Sequence, residues 1–230
     1  MNAGTKWHNR AMANSTALRL FMGVALVTAV IGGTLTAVWP DRQPDPASAE
    51  ADMVGTVLPE PRTLPTVNLT DHNAERWTRE SLTGRWQFLF FGFTHCPDVC
   101  PMTLATLAGT LERIEKAGAD RRPGVVMITV DPRRDTPATM KRYVRHFSDD
   151  FTGVTGERDE IDRLTEALGI SYTLHEPGAD GDYAVDHSAA ILLIDPQGRL
   201  RALWQPPHGR AVLAEEFRRI SRWYAAGGRS

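Results

Sequence analysis

The chain has 230 residues, 42% of them hydrophobic and 23% charged, with a formal net charge of -2. That length fits one domain of ordinary size plus an appendage. The balanced charge, and basic residues scattered without interleaved aromatics, exclude a nucleic-acid-binding face.

Residues 1–19 carry Lys6, Arg10 and Arg19. From Leu20 to Trp39 the chain reads LFMGVALVTAVIGGTLTAVW, with no charge. Twenty residues at about 1.5 Å each span roughly 30 Å, the thickness of a bilayer core. Asp41, Arg42, Asp45, Glu50 and Asp52 follow. Positive charge on the N-terminal side predicts a single-pass anchor at 20–39, with 1–19 cytoplasmic and the remainder outside the cytoplasm. Trp39 suits the membrane interface. Ala47-Ser48-Ala49 resembles a signal-peptidase site. The apolar run is long for a signal peptide, however, and these residues lie well beyond its end, so an uncleaved anchor is expected. Residues 40–62, punctuated by Pro40, Pro44, Pro46, Pro59 and Pro61, read as an extended linker. The folded head is expected over 63–230.

Within the head, Trp86–Phe93 (WQFLFFGF) is a dense apolar run, expected as a strand buried on both faces. Leu104, Leu107 and Leu111 follow at helical spacing, in a helix ending near Gly118. GVVMITV from Gly124 is a second buried strand. In DTPATMKRYVRHF, Asp135 or Thr136 is the expected cap, with Pro137 in the first turn, where its missing N–H costs nothing. ERDEIDRLTEALGI is amphipathic through Ile161, Leu164 and Leu168 and closes at Gly169. SAAILLID from Ser188 is a third strand, expected to pair with RLRALWQ from Arg199 as a hairpin across DPQG. A final helix from Arg210 aligns Leu213, Phe217, Ile220 and Tyr224. This order predicts a three-layer α/β/α domain.

The chain has two cysteines, Cys96 and Cys100, within FLFFGFTHCPDVCP. A structural disulfide closing so short a loop would add little stability, so the pair is expected to do chemistry: electron exchange, metal binding or both. They fall where the first core strand runs into a helix, the usual place for ligand chemistry in an open α/β sheet. A helix N-terminus stabilises thiolate, so both sulfurs are expected to be acidic and reactive. Four-residue spacing on a first helical turn would project both to one side.

The placement is thioredoxin-like, but three residues separate the cysteines instead of two. FGFTHCPDVCP resembles the signature of the Sco/SenC family, the copper-delivery proteins of cytochrome c oxidase assembly. ITVDPRRDTPATM (Ile128–Met140) and DYAVDHSAAILLIDPQG (Asp182–Gly198) resemble two further family segments, and the resemblance runs from about Leu82 to the C-terminus. It implies a thioredoxin-like domain in which Cys96 and Cys100 are sulfur ligands and His187 is a nitrogen ligand to copper. Two thiolates and one imidazole suit Cu(I), whereas zinc usually takes a fourth ligand. The function implied is a membrane-anchored copper metallochaperone on the periplasmic side of the plasma membrane, not an enzyme. It would take Cu(I) or Cu(II) from an upstream donor and deliver it to the binuclear copper centre of an oxidase subunit. The alternative is a thiol–disulfide oxidoreductase that uses Cys96 and Cys100 to reduce that subunit's cysteines. In an oxidising compartment the pair is expected to bridge unless a reductant opposes it, so copper loading gated by the dithiol implies an extracytoplasmic thiol reductase as a partner.

Other residues read more plainly. His95 adjoins Cys96, but neighbouring side chains point apart. His175 and His208 read as surface residues. Asp131, Arg134 and Asp135 read as turn and cap residues, and Met102 and Met127 as core. Asp186 is a candidate to orient His187 through its free ring nitrogen.

Overall fold

The structure, a computed structural model, describes residues 53–118, 122–178 and 182–228. The expected anchor at 20–39 and most of the expected linker lie outside the described residues. Among the described residues no helix is long and apolar enough to cross a membrane.

The strands are β1 (Thr56–Thr63), β2 (Leu69–Asp71), β3 (Arg76–Trp77), β4 (Gln87–Gly92), β5 (Gly124–Thr129), β6 (Phe151–Thr155), β7 (Tyr172–Leu174), β8 (Val185–His187), β9 (Ile191–Ile194) and β10 (Arg199–Trp204). The helices are α1 (Val99–Lys116), α2 (Pro137–Arg145), α3 (Arg158–Leu168) and α4 (Arg210–Ala225), with a 3-10 turn at Arg79–Leu82. Eight strands form one sheet in the order β1-β10-β9-β4-β5-β6-β2-β3, and β7 and β8 form a separate pair.

Every residue of β4 and β5 is buried, as their unbroken apolar runs require. The parallel steps β4–β5 and β5–β6 proceed in one direction across the sheet. Right-handed crossovers therefore place α1 and α2 on the same face. Contacts agree: Phe88 meets Phe217 of α4, α4 packs along α1, and a Cβ on Gly153 would touch Met140 of α2. α3 and the segments before β4 are left to cover the opposite face. This is a mixed α/β domain consistent with the thioredoxin-like expectation.

Each helix follows from its sequence. In α1 the buried stripe is Cys100, Leu104, Leu107, Leu111 and Ile114, spaced by three and four. Thr136 caps α2 by accepting from the Thr139 N–H, with Pro137 at the first turn. Gly169 closes α3 in the left-handed conformation, at φ 70°. The DPQG hairpin forms as expected, with Asp195 accepting from the Gln197 and Arg199 N–H groups.

One boundary differs. β1 begins at Thr56, inside the stretch expected as linker, and pairs antiparallel with β10 at the sheet edge. Pro59 and Pro61 sit where the register shifts between Val57 and Arg62, so their missing N–H groups interrupt no ladder bond. Glu216 of α4 fastens the chain just before β1. It accepts from the Val54 and Gly55 N–H groups (2.6 and 3.0 Å) and from the Trp204 indole.

Candidate metal and thiol site

β4 and β5 are parallel neighbours, so the loops that follow them emerge at the same sheet edge. The β4 loop carries Cys96 and leads into α1 with Cys100 in its first turn. The β5 loop is the Asp131–Asp135 stretch. His187 arrives on β8, paired with Tyr172 of β7, just before the chain enters β9 beside β4.

The ligand atoms of Cys96, Cys100 and His187 all lie within 4.8 Å of one another. Cys100 Sγ is 3.3 Å from His187 Nε2, and the Cys100 N–H donates to Cys96 Sγ at 3.4 Å. Both cysteines are free thiols, Cys96 half-buried and Cys100 buried. Among the described residues no other His, Cys, Asp or Glu joins a group of this kind. Gly92 is required by the packing here: a Cβ at that position would stand 2.7 Å from Cys100 Sγ.

His187 is oriented by the backbone. Its Nδ1–H donates to the Ser188 carbonyl at 3.0 Å, which leaves the Nε2 lone pair facing the sulfurs. Phe90 and Phe93 meet its ring edge-on at 6.0 and 5.7 Å. Burial lowers its pKa, against the raising effects of the Ser188 hydrogen bond and the Asp186 charge. The ring is therefore held neutral, as a ligand must be. Asp186 does not make the expected contact. Its carboxylate pairs with the exposed His175 at 2.7 Å, because successive residues of a strand face opposite sides.

Two further expectations are corrected. Cys96 precedes α1 and lies in the loop, so the sulfurs converge through a turn and not along one helical face. Nor are both thiols made acidic by the helix N-terminus. Burial pushes the Cys100 thiol well up, with the neighbouring Cys96 charge adding to it and a backbone hydrogen bond from Phe93 only partly opposing it. Desolvation thus outweighs the helix end for Cys100. His95 stays outside the group, exposed, with Nδ1 3.2 Å from the Thr94 hydroxyl. Met127 is buried as expected, but Met102 is 62% exposed, lying off the α1 stripe.

The residues that the sequence offers as turn formers prove to be the frame of the site. Asp135, fully buried, accepts from the Thr94 N–H (3.0 Å), the Thr94 hydroxyl and the Thr129 hydroxyl (2.6 Å). It pins the cysteine loop to the end of β5. Burial raises its pKa, and these hydrogen bonds oppose the rise. Asp131, also fully buried, accepts from the Tyr183 hydroxyl at 2.6 Å and from Arg134 Nε. A charge-dense DPRRD stretch directly after a fully buried strand was the available signal: charges placed there must be paired inside the fold.

The fold and site define a class: a mixed α/β domain with a dithiol and an imidazole converging at the carboxyl end of its central strand. The SCO1/SenC family model matches residues 58–222, and the chain belongs to that family. A protein of Stutzerimonas stutzeri is 38% identical over 151 residues, covering 66% of this chain and 73% of that one. The human mitochondrial SCO1 homolog is 37% identical over 131 residues, 57% of this chain. That match spans only 44% of the human protein's length. The crystal structure of Arabidopsis thaliana ScoI with copper bound superposes with a TM-score of 0.65 at 32% identity, covering 69% of this chain and 98% of that one.

Proposed function

We propose that this protein is a copper metallochaperone of cytochrome c oxidase assembly, with Cys96, Cys100 and His187 as its copper ligands. The observation that carries the reading is the convergence of two sulfurs and one imidazole nitrogen within 4.8 Å. Bonds of about 2.3 Å to sulfur and 2.0 Å to nitrogen, the lengths found in zinc sites, put three donors about 4 Å apart around a three-coordinate ion. The donors stand close to such positions already. Soft thiolates with one imidazole favour Cu(I), and a set short of a fourth ligand stays open to a partner's donors. Copper is then cargo. It is received from an upstream donor and passed to the binuclear copper centre of the oxidase subunit. Residues 20–39 anchor the chain in the membrane with the head on the periplasmic side, 40–55 tether it, and the fold begins near residue 56.

A second reading has its own support. Cys96 is half-buried and Cys100 buried, the asymmetry expected of an attacking and a resolving sulfur. In a thiol–disulfide exchange the Cys96 thiolate would attack a target disulfide and release one target thiol. Cys100 would then displace the second and leave the chain oxidised. His187 separates the two roles, because metal binding needs its Nε2 and exchange does not. The deciding experiment compares copper retention and disulfide-reducing activity in wild type and His187→Ala. Loss of copper with activity intact supports the chaperone site, and copper retention unchanged by the substitution removes it.

A further inference from the structure

We propose that Arg134 is a positioning residue that holds His187 within reach of the cysteine pair, by clamping the segment before β8 to the loop after β5. The metal side of this inference rests on the ligand assignment above; the clamp itself rests on contacts alone. β8 has three residues and pairs only with the three residues of β7, outside the main sheet. An isolated two-stranded pair is marginally stable in water. The position of His187 thus needs a support beyond its own ladder.

Arg134 supplies it. Its guanidinium lies 3.8 Å from the centroid of the Tyr183 ring, four residues before His187, and 5.8 Å from that of Phe93. Phe93 in turn meets the His187 ring and leads into the cysteine loop. Nη1 bonds the Asp182 carboxylate at 2.5 Å, and Nε bonds Asp131, the same carboxylate that accepts the Tyr183 hydroxyl. The Arg134 side chain is 16% exposed and Asp131 is fully buried, so their pair is sheltered from solvent screening, whereas Asp182 is 71% exposed and its pair with Arg134 is screened. One loop therefore grips both ligand-bearing segments, the cysteine loop through Asp135 and the histidine segment through Arg134 and Asp131. A lysine could not replace this arginine, because a single ammonium cannot stack on Tyr183 while bonding two carboxylates.

The test uses the full-length reduced chain as wild type, His187→Ala, Arg134→Ala and Tyr183→Phe. In the metal-free chains, amide hydrogen exchange at Val185–His187 should rise roughly tenfold in Arg134→Ala, and less in Tyr183→Phe, with β4 and β5 unchanged. After Cu(I) loading, X-ray absorption should show two sulfurs and one nitrogen in wild type, and loss of the nitrogen in Arg134→Ala as in His187→Ala. Copper affinity should fall roughly tenfold, the scale of effects from residues that support metal ligands. If Arg134→Ala loses protection in β4 and β5 as well, it has unfolded, and Tyr183→Phe then decides. Unchanged exchange at Val185–His187 overturns the clamp. Should wild type itself show no nitrogen at copper, the ligand assignment fails, while the exchange result still judges the clamp.

Discussion

At the scale of single residues, burial decides more than charge. Asp135 illustrates this: a carboxylate with no exposed surface that receives three hydrogen bonds and locks the cysteine loop. Asp135→Ala would leave the Thr94 N–H and two threonine hydroxyls without their acceptor. The expected cost is about 2–4 kcal/mol, from the penalty of unpaired buried polar groups, together with weaker copper retention. Chemical denaturation checks the first and metal analysis the second. Burial also sets the response to pH. It lowers the pKa values of His72, His187 and His208 below 6.5. The unfolded chain binds protons at these sites more readily than the fold does, so stability should fall as pH drops through about 6.5. Asp135, raised from 3.8, acts in the opposite sense in acid and makes that fall shallower. Cys100, raised from 9.0, contributes stability below pH 9 that is lost as pH rises beyond it. Thermal unfolding of the metal-free reduced chain should give its highest Tm near pH 8; an equal or higher Tm at pH 5 would contradict this. The meeting of Cys96, Cys100 and His187 was legible in the sequence, the cysteines through their motif and His187 through the family resemblance. Asp131, Arg134 and Asp135 were not, because a turn and a buried clamp draw on the same residue types. The DPRRD stretch signals only that its charges must be paired; the neighbours Thr94, Phe93 and Tyr183 show what they are paired with.

At the scale of elements, long segments with one clear period were readable and short ones were not. β4, β5 and α1 to α4 carry their own apolar patterns, and all stand within a few residues of expectation. β2, β3, β7 and β8 have two or three residues each, too few for a period to show. β1 was hidden by its prolines, which mark an edge strand as readily as a linker. Its anchorage is the Glu216 side chain, 5% exposed, holding Val54, Gly55 and the Trp204 indole. Glu216→Ala should free that end of the strand at a cost of about 1–3 kcal/mol. Limited proteolysis should then cut near residues 53–58 faster than in wild type, and equal cleavage rates would count against this role. Met102 was misplaced for a reason of helical geometry. Two residues before Leu104, it turns about 200° away from the stripe that Leu104 helps to define, and so points to solvent.

At the scale of the whole molecule, the proposed function joins a tether, a redox state and a cargo. An anchor at 20–39 with a chain of about fifteen residues before β1 would let the head explore a radius of roughly 20 Å. Chaperone and target would share one membrane plane, which raises their effective concentration. Full-length protein should fractionate with membranes, and recovery of a soluble form beginning at Glu50 would show cleavage after Ala49. The compartment outside the cytoplasm is oxidising. With the head on that side, as proposed, Cys96 and Cys100 should pass to a disulfide, yielding two protons and two electrons to an oxidant, unless a thiol reductase opposes it. Because metal ligation needs thiolates, copper loading should occur in the dithiol and not in the disulfide. Free thiols counted beside bound copper test this coupling. The most direct test of the central claim is X-ray absorption at the copper edge of the reduced, Cu(I)-loaded full-length chain, alongside its copper content. The account predicts one copper per chain bound by two sulfurs and one nitrogen, with the nitrogen and most of the copper lost in His187→Ala. A His187→Ala chain that keeps its copper with an unchanged spectrum would contradict it.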